Sequence, residues 1–177
     1  MKQSEEIMTR RKPGAQFFSR IRRNHGLEHA TLNILSKRYP KINLAGHSDA
    51  GGFWVIGDVE IEDVYESVEE ARSRLNGGEK NLAIHRNCGT NFVTSGVLAG
   101  LAAGAAMFGA GRRTRDKLER LPISMLLATL VLILSQPLGF FIQERVTTSP
   151  ELGELQVVEI VASRKGGMKA HRVVTRY

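Results

Sequence analysis

Between Phe92 and Gly111 the chain runs for about twenty residues without a charged side chain, enough as a helix to cross a hydrocarbon layer of about 30 Å. A second uncharged run, Ile123 to Ile142, opens after Pro122 and carries Pro137, where a kink is expected. The charged stretch Arg112 to Leu121 joins the two as a hairpin, so the polar sequence on either side falls on one side of the membrane. In the first run Gly96, Gly100 and Gly104 recur every four residues, a spacing that puts small residues on one helix face and invites close packing against another helix. That helix is either the second run or a partner protein, in a homo-oligomer or hetero-oligomer.

Charge sits outside these runs. Of the net +7, much lies at the start, where Lys2, Arg10, Arg11, Lys12, Arg20, Arg22 and Arg23 face Glu5 and Glu6. Beside a membrane anchor such an arm suits anionic head groups. Nucleic acid is not expected as a partner, because no aromatic residues are interleaved for stacking on bases. A single cysteine, Cys88, excludes an internal disulfide and fits a reducing compartment or a ligand role. Five basic residues flank the hairpin on each side, Arg112, Arg113, Arg115, Lys117 and Arg120 against Arg72, Arg74, Lys80, Arg86 and Arg145. The tie is decided by the basic start and the lack of an apolar leader behind it, for a multi-pass protein of the inner (plasma) membrane with cytoplasmic termini.

The expected organisation is a flexible basic arm over 1–19, a soluble part over 20–91, the transmembrane hairpin over 92–143 (92–111 and 122–143), and a C-terminal β-hairpin over 147–177. The soluble part opens with a helix to Arg38, stopped by Pro40. Ile42 to Leu44 and Phe53 to Val59 predict strands around a Gly-rich loop from Gly46 to Gly52. Residues 61–76 place Ile61, Val64, Tyr65, Val68, Ala71 and Leu75 on one helical stripe, ended by Gly77-Gly78. Leu82 to His85 predicts a short strand. The two C-terminal strands, turning at Lys165-Gly166-Gly167, are too few to stand alone and should join the first hairpin. The fold class is α+β: a small helix-plus-sheet soluble domain interrupted by a two-helix transmembrane hairpin.

Chemistry concentrates in His25-Gly26-Leu27-Glu28-His29. On a helix His25, Glu28 and His29 project from one face, where two imidazoles can share a zinc ion and the carboxylate can take a proton from an attacking water. A third ligand is needed. His85 and Cys88, three apart just before the first apolar run, are favoured; His47, Asp49 and Glu79 are the other candidates. Asn87 and Asn91 could polarise a substrate carbonyl. The resulting reading is a zinc site at the membrane surface of a metallohydrolase, peptidase-like, acting on a membrane-near substrate. The alternative is a non-enzymatic membrane assembly or interaction protein whose histidines are structural. No phosphate-binding loop, nucleophile elbow or C-x-x-C pair is present to suggest other chemistries.

The order H-x-x-E-H resembles the zinc motif of the inverzincin peptidases, with the likeness confined to those five residues. Those enzymes take a third ligand from a glutamate far downstream on a helix, to which Glu69 or Glu70 would correspond by position. Over residues 20 to 145, His25-Gly26-Leu27-Glu28-His29-Ala30-Thr31 together with Asn87-Cys88-Gly89-Thr90-Asn91 and the Gly-rich run is similar to a family of small bacterial membrane proteins of unknown function, found in Chloroflexi and cyanobacteria. That resemblance implies a prokaryotic membrane protein and no particular activity.

Overall fold

The computed structural model describes residues 13–177, and these form two compact units. The first comprises residues 13–85 with Val146–Tyr177; the second is Arg86–Arg145. Most of the expected basic arm lies outside the described residues.

In the first unit, helix α1 spans Pro13–Arg38, so the described helix takes in residues ahead of the soluble part expected from 20. Strands β1 (Ala45–Asp49) and β2 (Gly52–Ile56) form a hairpin tighter than expected, because the polar stretch Gly46 to Asp49 is itself strand. Gly46 has a reason to be there. A Cβ at Gly46 would run into the Glu28 carboxylate, so only glycine lets β1 lie this close to α1. Helix α2 is Ile61–Asn76, with Val64, Val68, Ala71 and Leu75 buried as their spacing predicts. Tyr65 is the exception at 58% exposed.

Strands β3 (Gln156–Lys165) and β4 (Met168–Arg176) complete a four-stranded antiparallel sheet in the order β1-β2-β4-β3. The strand alternation follows burial. Phe53 and Val55 of β2 and His171 and Val173 of β4 are buried, and they are paired across the strands as Phe53 with Val173 and Val55 with His171. Leu27, Ala30, Ile34 and Leu35 of α1 join the buried stripe of α2 in the same core. The α+β class therefore holds.

Leu82 to His85 is not a strand. Lys80–Ala83 winds as a 3₁₀ turn, because its carbonyls bond to α1 side chains in place of a neighbouring strand: the Asn33 Nδ2 donates to Leu82 O (3.0 Å) and Ile84 O (2.9 Å), and His29 Nδ1 donates to Ala83 O (2.9 Å).

The second unit is helical. Helix α3 is Gly89–Met107, α4 is Thr114–Leu134, α5 is Gln136–Ile142, and a π-helical turn follows over Gln143–Thr147. The expected second span does not open at Pro122; α4 starts eight residues earlier at Thr114 and carries Pro122 inside it. Asp116 Oδ2 accepts from Arg113 N (3.3 Å), which caps the helix upstream of the proline. The break falls at Ser135, just before Pro137, and bends the chain by 46°. By length and composition α3 is long and apolar enough to cross a membrane, while the second stretch qualifies only if the bent pair of helices is taken as one span. Within the unit α3 turns its Asn91, Ser95, Ala99 side inward, and Ser124 Oγ donates to Ala103 O (3.2 Å).

Candidate metal-binding site

Helix α1 is amphipathic in an unusual sense, since its polar residues are buried along with its apolar ones. Asn24, Glu28, His29 and Thr31 are at most 4% exposed. Buried polar atoms need partners. His25, His29 and Asn33, spaced by four, lie along one line of the helix, and each reaches a backbone carbonyl: His25 Nδ1 donates to Thr147 O at 2.9 Å, His29 Nδ1 to Ala83 O at 2.9 Å, and Asn33 to the two carbonyls either side of Ala83.

These bonds settle the imidazoles chemically. A carbonyl oxygen only accepts, so Nδ1 carries the proton on both rings and the lone pair sits on Nε2. That is the outer-shell arrangement of metal-ligating histidines, in which a backbone or carboxylate oxygen fixes tautomer and ring plane. The two rings are neighbours, with centroids 4.2 Å apart and planes at 60°, and a nitrogen of one lies within 4.8 Å of a nitrogen of the other. His85 follows the pinned 3₁₀ turn, and its ring centroid is 5.6 Å from that of His29. Burial holds His85 below the ordinary histidine pKa, which favours the neutral, ligating form.

Cys88 follows His85 by three residues, is buried, and occupies the N-cap of α3. His25 and His29 thus offer a metal ion two nitrogen ligands of a kind that zinc accepts.

Gly26, inside the motif, serves the chain. Ser149 N donates to Arg22 O (2.8 Å), and Arg22 Nε and Nη2 donate to Thr148 O (3.2 and 3.0 Å), so residues 147–149 lie along α1 as a strap. A Cβ on Gly26 would collide with the Ser149 backbone. The strap supplies the carbonyl that orients His25.

The remaining predicted residues separate. Glu28 is buried and packs over Gly46. Asn87 is exposed. Asn91, expected at a substrate carbonyl, is engaged at both ends of its amide: Nδ2 donates to Arg86 O (2.9 Å), and Oδ1 accepts from Gln143 Nε2 (2.9 Å). Of the other ligand candidates, Asp49 accepts from Arg172 (2.8 Å) and from Gly51 N (2.8 Å); burial raises its pKa, but these bonds outweigh burial and hold it below the usual range. Glu79 pairs with Arg74 (2.7 Å), Glu69 with Arg72 (2.9 Å) and Glu70 with Arg74 (3.0 Å), while His47 is exposed on the edge strand β1. Sequence reasoning missed Asn33 and the strap. Asn33 was visible in the spacing of four; the carbonyls of Ala83 and Thr147 have no side-chain signature.

No solved structure matches this chain. An uncharacterized protein of the cyanobacterium Picosynechococcus sp. is 36% identical over 176 residues, covering 93% of this chain and 83% of the relative. The model of a domain of unknown function, DUF6391, matches residues 20–160, which takes in α1 from Arg20 onward, the 3₁₀ turn, the helical unit and the strap. The chain belongs to the DUF6391 family.

Proposed function

We propose that this chain is an integral protein of the plasma membrane that holds zinc through His25 and His29, with His85 or Cys88 completing the ligand set, and that it is a metallohydrolase, peptidase-like, acting on a membrane-near peptide or a lipid-linked amide or ester. One observation carries the metal reading: both motif imidazoles give their Nδ1 proton to a backbone carbonyl, which fixes ring plane and tautomer as in metal-ligating histidines, with Nε2 as the ligating atom of the neutral ring. When bound, zinc supplies Lewis-acid polarisation. In this reading Glu28, adjacent to His29 on the helix, takes the proton from the attacking water, and Asn87 steadies the substrate carbonyl. Asn91 is already committed to Arg86 O and Gln143 and suits a positioning role better. Membrane attachment is supported by α3, and by the bent second stretch if it is one span; the reading puts the termini on the cytoplasmic side because of the basic start of the chain.

The second reading is a non-enzymatic assembly protein in which the histidines, with or without a metal, are structural. The observation that favours it is that, among the described residues, a Cβ at Gly96, Gly100 or Gly104 would meet nothing within 4 Å, which suits that face of α3 to a partner helix.

Metal analysis of the purified full chain separates the readings. The hydrolase reading expects one zinc per chain, lost in His25→Ala and in His29→Ala and retained in Glu28→Gln. Glu28→Gln should lower turnover by roughly 10²–10⁴-fold, the usual worth of a general base. Protein that is metal-free after growth in zinc-replete medium would sink the metal reading. Zinc retained alongside unaltered activity in Glu28→Gln would remove Glu28 from the chemistry.

A further inference from the structure

The outer strand β3 is the longest in the sheet, ten residues from Gln156 to Lys165, and β4 pairs with one of its edges only. Among the described residues no strand covers its other edge. The opposite margin of the sheet is guarded differently: β1 is five residues long, too short to template much. Along β3, Val158 is 50% and Val161 44% exposed, and Ala162, Ser163, Arg164 and Lys165 are all exposed. A β-bulge between Val157 and Glu159 disrupts the start of the strand. From Glu159 to Lys165 the register with β4 is regular, which leaves seven residues of straight, open edge with an uncharged centre, Ile160 to Ser163. An edge of that kind recruits another strand.

Charge identifies which strand. In antiparallel pairing about a two-fold axis normal to the sheet, residues equally distant from the centre face each other on the same side of the sheet. With the axis at Ala162, Glu159 meets Lys165, Ile160 meets Arg164, Val161 meets Ser163, and Ala162 meets itself. The Glu159–Lys165 pair then occurs twice, once on each side of the axis. Moving the axis to Val161 sets Glu159 against Ser163 and Lys165 against Val157; moving it to Ser163 sets Lys165 against Val161 and leaves Glu159 opposite the Gly166-Gly167 turn. Both alternatives strand the charges. The open edge is therefore complementary to itself in one register.

We propose that two copies of this chain associate through β3, antiparallel and centred on Ala162, to make a continuous eight-stranded sheet with Glu159 of each copy paired to Lys165 of the other. In the single chain the Lys165 ammonium lies 5.2 Å from the centre of the Trp54 ring. Pairing withdraws that cation, so the sole tryptophan of the chain reports association.

The experiment uses the full chain in detergent or nanodiscs. Glu159→Lys and Lys165→Glu should each weaken self-association by about tenfold or more, since each replaces two attractive cross-strand pairs by two repulsive ones, and the double variant should restore it. Tryptophan emission of the parent should change with protein concentration, and that change should vanish in the single variants. As a geometric check, Ala162→Cys should form an intermolecular disulfide on mild oxidation, because residues directly opposed sit about 4.5–5.5 Å apart. Ser163→Cys, offset diagonally from its mate by about 7–8 Å, should crosslink far more slowly. Circular dichroism of each variant guards against unfolding. A parent that stays monomeric, a dimer indifferent to both single charge reversals, or crosslinking equal at 162 and 163 would each overturn the proposal.

Discussion

Helix α1 has no room left at its glycine, whereas helix α3 has room at Gly96, Gly100 and Gly104. On α1 a Cβ at Gly26 would meet the Ser149 backbone, with the carbonyl carbon 2.9 Å away; on α3 the same addition at each of the three glycines would meet nothing within 4 Å among the described residues. Glycine costs helix stability in both places, by about 1 kcal/mol relative to alanine. In α1 the chain's own strap takes up the space that the cost creates. In α3 no described residue takes up the space, and the assembly reading gives it to a partner helix. A small residue in a helix is therefore explained by its neighbour in the first case and calls for one in the second.

The largest expected effect breaks the first half of that contrast. Gly26→Ala must displace residues 147–149, which lose the Ser149 bond to Arg22 and the carbonyl bonded by His25. Overpacking of this kind costs roughly 1–3 kcal/mol, and the broken bonds about 1 kcal/mol each. The gain in helix propensity offsets only part. We expect the melting temperature to fall by roughly 5–10 °C, and zinc content to fall with it if His25 loses its orientation. A melting temperature unchanged or raised would mean that the strap is not held where α1 excludes a Cβ.

The middle effect concerns the second half. Replacing Gly96, Gly100 and Gly104 together by alanine should leave the monomer folded and no less stable, because each added methyl enters open space. Association through that face should weaken, since the added methyls hold two backbones apart. Energy transfer between labelled copies in a bilayer, or recovery of a co-purifying membrane partner, measures it. Unimpaired association of the triple variant would assign the stripe no role in docking.

What could be read from the sequence follows the same division. The bounds of helix α2 were legible because its stripe of Val64, Val68, Ala71 and Leu75 is spaced at the helical period and stopped by Gly77, with Tyr65 alone turned out of that stripe to solvent. The candidate donors stood out as well, since His25, His29, His85 and Cys88 are chemically distinctive and suitably spaced. Their support did not. Thr147 and Ala83 contribute only backbone oxygens, and no residue type marks a carbonyl that will be used. The 3₁₀ turn read as a strand for the same reason: Leu82-Ala83-Ile84 is apolar enough for one, and Asn33, which takes the carbonyls away from any sheet, lies 49 residues earlier than Leu82. Asn91 misled in the other direction, because an amide in a polar motif suggests a substrate when its partner Gln143 is 52 residues away and unseen.

The smallest expected effect tests how tightly α1 is held at its start, where the C-terminal Tyr177 closes over it. The Tyr177 hydroxyl lies 2.9 Å from both Arg20 O and Asn24 Oδ1, and the Arg20 guanidinium stands 5.3 Å from the ring centre. Burial is the main reason its pKa is pushed up to about 12 from 10.0, against the pull of Arg23 and Arg20 toward the phenolate. A raised folded-state pKa means that the contribution to stability is full below the unfolded value of 10.0 and is lost as pH rises through about 12. Tyr177→Phe should therefore cost about 1 kcal/mol at pH near 8, where the hydroxyl's hydrogen bonding is intact. The gap to the parent should narrow at pH around 11, as the unfolded parent begins to ionise while the variant cannot. Denaturant titrations of both proteins at the two pH values give the comparison, and a parent-minus-variant phenolate absorbance titration gives the midpoint directly. A gap that widens with pH, or a midpoint at the ordinary tyrosine value, would show the C-terminus to be loose on α1 and confine the tight half of the contrast to Gly26 and the strap.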